Sequence, residues 1–174
     1  ALSCAKNAII VGDTKQLPNV IKSEAKQKSE EIFKNYKIAL GYKFYKSFLN
    51  SVVEIMPDVP QTMLREHYRC HPKIINYCNQ KFYHNNLVVM TKDNGEKDVI
   101  IVMRTVEGNH RRENYNQREI DVKKNEILPM CNSPAEEIGI IAPYNGQVDK
   151  LKEQIKGIDI STVHKFQGRE KETI

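Results

Sequence analysis

The stretch Ile138-Gly139-Ile140-Ile141-Ala142-Pro143-Tyr144-Asn145-Gly146-Gln147 decides the fold class. Its first five residues are non-polar without alternation, the pattern of a short strand buried on both faces. Pro143 leads into a helix expected over about 145–155, and a last short strand is expected at 158–163, bounded by Gly157 and Gly168. Two such strands joined by a helix read as a parallel pair with a crossover, since a tight turn cannot connect parallel neighbours.

Outward from this unit the alternation continues. Ala8-Ile9-Ile10-Val11 stops at Gly12-Asp13, and Val99-Ile100-Ile101-Val102-Met103 is the longest apolar run; both are expected to be buried strands. Helical spacing predicts helices over about 23–37 (Ile32, Phe33, Tyr36), 44–55 (Phe44, Phe48, Val52, Ile55) and 117–130 (Ile120, Ile127, Leu128). Another opens at Pro72, a favoured first-turn residue, with Ile74, Ile75, Cys78 and Phe82 on its apolar face. The polar stretch 107–116 reads as a loop. Strands alternating with helices define an α/β chain with a mainly parallel sheet.

Composition narrows the class further. The chain is 40% hydrophobic and 28% charged, an ordinary globular mixture, and its formal charge is +5. Residues 22–46 carry seven lysines against three glutamates, so most of the surplus sits in one helical stretch. That permits a polyanion partner without requiring one, because lysine-rich helices are often solvated faces. The run at 99–103 is far shorter than the roughly 20 residues a bilayer needs, so no membrane association is expected. No basic and apolar leader opens the chain, and Cys4, Cys70, Cys78 and Cys131 lack a disulfide spacing. An intracellular protein with reduced thiols is expected. Both ends read as cut, so a fragment of a longer chain is expected too.

Four segments carry chemistry. In Val11-Gly12-Asp13-Thr14-Lys15-Gln16-Leu17-Pro18, a strand ends in Gly-Asp at a carboxyl edge, where open α/β folds bind ligands. Gln16 can pair with a phosphate or a water there; a turn capped by Asp13 is the plainer alternative. In Leu64-Arg65-Glu66-His67-Tyr68-Arg69-Cys70-His71-Pro72, a ring suited to stacking stands beside a guanidinium suited to phosphoryl charge. A surface tyrosine and a salt-bridged arginine explain the same pair about equally well.

The third segment places Tyr144 and Gln147 at the amino end of a helix, a ready anion site that is also ordinary turn chemistry. The fourth, Ile160-Ser161-Thr162-Val163-His164-Lys165-Phe166-Gln167-Gly168-Arg169-Glu170-Lys171, is the most specific. Gly168 permits a tight turn or a close backbone approach. Glu170 can accept from ribose hydroxyls, while Thr162 and His164 can donate to a nucleic-acid phosphate. His67, Cys70, His71 and Cys78 lack a second pair at ligand spacing, so no metal site is expected.

Read in order, these segments resemble the motifs of superfamily 1 helicases, in the branch with the nonsense-mediated-decay RNA helicase and the Okazaki-fragment nuclease-helicase. Residues 11–18 resemble motif III, 64–72 motif IV, Pro143, Tyr144 and Gln147 the Pro-Tyr-x-x-Gln element, and 162–171 motif V. Asn79, Phe82 and Tyr83 fit the segment after motif IV. The resemblance implies a three-layer P-loop NTPase fold of the RecA-like (AAA) type, with the last strand of a preceding RecA-like domain. Residues 1–22 would be that tail, 23–56 a basic helical connection, and 57–174 the second RecA-like domain.

The resemblance also implies site roles. Gln16 would couple the γ-phosphate to the nucleic-acid site, Tyr68 would lie against adenine and Arg69 would reach the γ-phosphate. Asp13 and Gly168 would line the nucleotide and Glu170 would hold its ribose. Tyr144, Gln147, Thr162, His164 and Gln167 would touch nucleic acid. ATP with Mg2+ is the implied cofactor, and single-stranded DNA or RNA and the first RecA-like domain are the implied partners of a monomer. No Gly-x-x-x-x-Gly-Lys-[Ser/Thr] loop occurs in these residues, and motif II and motif VI would lie outside them. The fragment alone is therefore expected to lack ATPase activity. A non-catalytic module derived from a degenerate helicase is the alternative, though retention of Gln16, Tyr68, Arg69 and Glu170 speaks against it. Tyr68, Arg69 and Glu170 are expected to converge on one crevice.

Overall fold

A computed structural model describes residues 4–18, 20–42, 47–108 and 111–174. The chain forms two compact units, Ala1–Ile100 and Ile101–Ile174. Both are of mixed α/β type.

In the first unit, α1 (Ser23–Asn35) buries none of its residues, as expected of a lysine-rich solvated helix. Helix α2 (Phe48–Ile55) starts where the Ser47 hydroxyl accepts the Asn50 N–H at 3.1 Å, satisfying one orphan donor of the first turn. It buries Val52, and its Ile55 lies so close to Gly41 that a Cβ there would stand 2.7 Å from the side chain. The expected start of this helix at Phe44 lies outside the described residues.

The unit's only described sheet pairs β1 (Glu66–His67) in parallel with β2 (Val88–Val89), with α3 (Pro72–Tyr83) as the crossover. Pro72 occupies the first turn, and His71 caps the helix by accepting the Lys73 N–H on Nδ1 at 3.1 Å. The helix ends in two left-handed residues, His84 and Asn85. Of its expected apolar face only Ile75 is fully buried, whereas Asn79 is buried unexpectedly. Its carboxamide takes the Leu87 N–H at 3.0 Å and donates to the Leu87 carbonyl at 3.2 Å, fixing the approach to β2.

The second unit opens with a hairpin, β3 (Arg111–Arg112) against β4 (Tyr115–Asn116), inside the region expected to be a loop. Helix α4 (Gln117–Val122) follows and winds through a wide π turn at Lys123–Ile127 into a tight turn at Leu128–Met130. Strand β5 (Gly139–Ala142) then runs parallel to β6 (Asp159–Thr162), joined by α5 (Asn145–Gln154), and a short helical turn α6 (Val163–Phe166) closes the motif. A further parallel bridge, Ile138 to Thr173, extends the sheet beyond β5. The core is Ile120, Ile140, Ala142, Val148, Leu151, Ile155 and Ile160. Ile120, Leu151 and Ile160 are almost completely buried, each contributing ~1.5–3 kcal/mol of apolar transfer energy.

Two expected strands are corrected. Residues 8–11 and 99–103 join no ladder among the described residues; Ile9 is 94% exposed and Val102 81%. An apolar run becomes a buried strand only when neighbours take up its N–H and C=O groups, and no described segment offers itself to either run.

Candidate functional site

In the first unit, Asp13 is the hub of a turn. Its Oδ1 accepts the Lys15 N–H at 2.8 Å, and its Oδ2 accepts Gln16 Nε2 at 3.3 Å and the Tyr83 hydroxyl at 2.5 Å. Burial, with the Asp13 carboxylate beside it, pushes the Tyr83 phenol up to about 12. The structure thus joins Asp13 and Gln16 to the C-terminal turn of α3, a link absent from the sequence reading.

Tyr68 and Arg69 leave the carboxyl end of β1 immediately before α3, and both are exposed. Tyr68 is 65% exposed, with its hydroxyl donating to the Glu66 carboxylate, which raises the phenol's pKa. The ring face stays accessible while its edge is anchored. Beneath them His67 Nε2 accepts the Cys70 N–H at 2.8 Å, and Thr91 Oγ1 donates to the Cys70 carbonyl at 2.7 Å. Burial and the nearby Arg69 charge lower the His67 pKa, which favours the neutral ring that this acceptor role needs.

His71, Asp93 and Glu96 bring three potential ligand atoms within 4.8 Å of one another. Their chemistry does not fit a cation. Because His71 Nδ1 accepts a backbone N–H, Nε2 carries the ring proton and faces Glu96 at 3.3 Å and Asp93 at 3.5 Å. Lys73 Nζ is ion-paired with Asp93 at 3.4 Å and donates to the Glu96 backbone carbonyl at 3.1 Å, so a cation already stands at the cluster. Glu96 is held down to about 2, chiefly by its own backbone N–H and by Asn94. The cluster fastens the 91–98 loop to the start of α3.

In the second unit, Ala142 pairs in register with Thr162, so Tyr144 and the residues after Thr162 leave one carboxyl edge of the sheet. Ligands bind at such edges in α/β folds. Tyr144 is 63% exposed, His164 and Gln167 are exposed, and Thr162 is half-buried. Gly168 takes φ +84°, next to it Arg169 Nη1 grips both carboxylate oxygens of Asp159 at 2.8 and 2.9 Å, and Glu170 is exposed. Gln147 differs from its neighbours. It is buried, its Oε1 accepting the Asn116 N–H at 2.7 Å while Nε2 reaches the Asn116 carbonyl at 3.5 Å. A polar residue on the inward face of α5 is the sequence signal for such a clamp, as with Asn79 on α3.

The comparisons with known proteins agree with this architecture. A family model described as an AAA domain matches residues 44–174. The chain belongs to that family and, with its motif set, to the superfamily 1 helicases of the branch that includes the Sen1 proteins. It is 27% identical to the DNA polymerase alpha-associated DNA helicase A of Saccharomyces cerevisiae, over 95% of this chain and 28% of that protein. It is 29% identical to the helicase sen1 of Schizosaccharomyces pombe, over 98% of this chain and 11% of that protein. The 5'-3' DNA helicase ZGRF1 of Mus musculus is 27% identical over 94% of this chain, which spans 9% of it. The chain thus spans less than a third of each of these relatives. Among the described residues no helix is long and apolar enough to cross a membrane.

Proposed function

We propose that this chain is the second motor domain of an ATP-dependent helicase that couples nucleotide hydrolysis to movement on single-stranded DNA or RNA. Tyr68 offers a ring face for adenine, Arg69 a fixed positive charge for the terminal phosphate, and Glu170 an acceptor for ribose hydroxyls. Gln16, hinged on Asp13, relays the nucleotide's state, and Gly168 lets backbone approach the ligand. Tyr144, Thr162, His164 and Gln167 contact the strand, while the buried Gln147 holds the scaffold beside it. ATP, when bound, supplies the free energy of phosphoryl transfer to water.

The carrying observation is the register of Ala142 with Thr162, which sets two helicase-like motifs on one sheet edge in a chain of the helicase family. Residues here suit the nucleotide, the His71–Asp93–Glu96 cluster does not suit magnesium, and the helicase resemblance assigns the metal's ligands to motif II, outside these residues. The chain alone is accordingly proposed to be ATPase-inactive. The test is ATP hydrolysis by the full-length protein with oligodeoxythymidylate or oligouridylate added. Stimulation by a single strand supports the motor; a strand that binds without any turnover points to a degenerate, non-catalytic module.

A further inference from the structure

We infer that the β3–β4 hairpin is an additional contact to the phosphate backbone of the single strand, made by Arg111 and Arg112. This rests on the nucleic-acid reading above and extends it to residues that no motif includes. Three anchors hold the hairpin against α5. Gln147 binds both backbone polar groups of Asn116. The turn residue Asn114 packs on Gly146 so closely that a Cβ there would lie 3.1 Å from the Asn114 Cβ and 3.2 Å from its carbonyl. Tyr115 packs on the core and lies under Lys150 Nζ, 5.9 Å from its ring centroid.

These anchors seat the hairpin turn on Gly146, which follows the exposed Tyr144 by two residues. Both arginines are exposed. Arg111 Nε donates to the Glu113 carbonyl at 2.8 Å, and Arg112 Nη1 to the Arg111 carbonyl at 2.9 Å. Those bonds orient the guanidinium groups without neutralising them, and neither is ion-paired to a carboxylate among the described residues. Arg118 and Arg169, by contrast, are paired with Glu126 and Asp159. The hairpin's one acid, Glu113, is exposed, and it makes no ion pair with either arginine. Two oriented, unneutralised guanidinium groups beside an exposed aromatic ring match the combination that grips single strands: charge for phosphates and a face for bases.

The test uses the full-length protein and fluorescent oligodeoxythymidylate, with oligouridylate as a second arm, titrated across a range of salt. Each phosphate contact to a single strand adds about 0.7 to the slope of log K against log[salt]. R111Q/R112Q is expected to bind about tenfold more weakly at physiological salt, with a slope shallower by about 1.4, and R111K/R112K to recover most of that slope. Wild-type binding with unchanged affinity and slope in R111Q/R112Q overturns the inference. Wild-type protein that binds neither strand defeats the proposed function itself. Independently of any variant's folding, phenylglyoxal labelling of the wild-type protein is expected to be suppressed at Arg111 and Arg112 by a bound strand; equal labelling with and without it overturns the inference.

Discussion

The Tyr83 hydroxyl donates to Asp13 Oδ2 at 2.5 Å, joining residues seventy positions apart. This bond ties the Gly-Asp turn, on which Gln16 is hinged, to the end of the helix that begins after Tyr68 and Arg69. Tyr83→Phe is expected to lower the unfolding free energy by about 1–2 kcal/mol, the worth of a half-buried hydrogen bond to a charged acceptor. The pH dependence has a definite sign. The folded phenol is raised to about 12 from an ordinary value near 10, so its contribution is complete below about pH 10 and lost as pH rises towards 12. Denaturant midpoints across that window should fall in the wild type and fall less in Tyr83→Phe.

His67 has the opposite dependence. Its folded pKa is depressed, so the neutral ring's contribution is complete above about pH 6.5 and declines as pH falls through the folded value. Protonating Nε2 removes the acceptor for the Cys70 N–H. Hydrogen-exchange protection of that amide should drop below about pH 6.5, and protection in the β5–α5–β6 core should not follow it.

Gln147 separates a scaffold role from a contact role. Gln147→Leu keeps the bulk but strands the Asn116 N–H, at a cost of about 1–3 kcal/mol. Thermal unfolding should shift accordingly. Tyr144→Ala, at an exposed site, should leave stability within about 0.5 kcal/mol while weakening single-strand binding by the loss of a stacking surface.

Leu151 measures the core. It is completely buried among Ile120, Ile140, Val148 and Ile160, and Leu151→Ala is expected to cost about 2–5 kcal/mol. The check is the denaturant midpoint at constant m-value, which isolates stability from a change in compactness.

The β5–α5–β6 unit was legible because each apolar block sits between turn residues and each has a partner in the chain. Ile140 meets Ile160 in register, so hydrophobic pattern and ladder agree. The blocks at 8–11 and 99–103 show the same pattern without a described partner, and pattern alone does not reveal whether a ladder exists. The hairpin was hidden because Arg111, Arg112 and Asn114 read as loop residues. It forms around contacts made elsewhere, at Gly146 and Gln147. Asn116 and Glu119 did carry a local signal, a capping pair three residues apart in which Asn116 Oδ1 accepts the Glu119 N–H at 3.3 Å. The sequence offers Gln147 as a nucleic-acid contact, and its burial against Asn116 is not visible there, because which face of α5 it occupies is set by packing. The widened turn at Lys123–Ile127 has no counterpart in residue periodicity.

The motor reading stands most directly on Arg69. In the full-length protein, ATP hydrolysis stimulated by a single strand should fall at least about 1,000-fold in Arg69→Ala, the scale on which an arginine finger acts, with strand affinity retained. Hydrolysis at the wild-type rate in Arg69→Ala would show that this guanidinium does not serve the nucleotide.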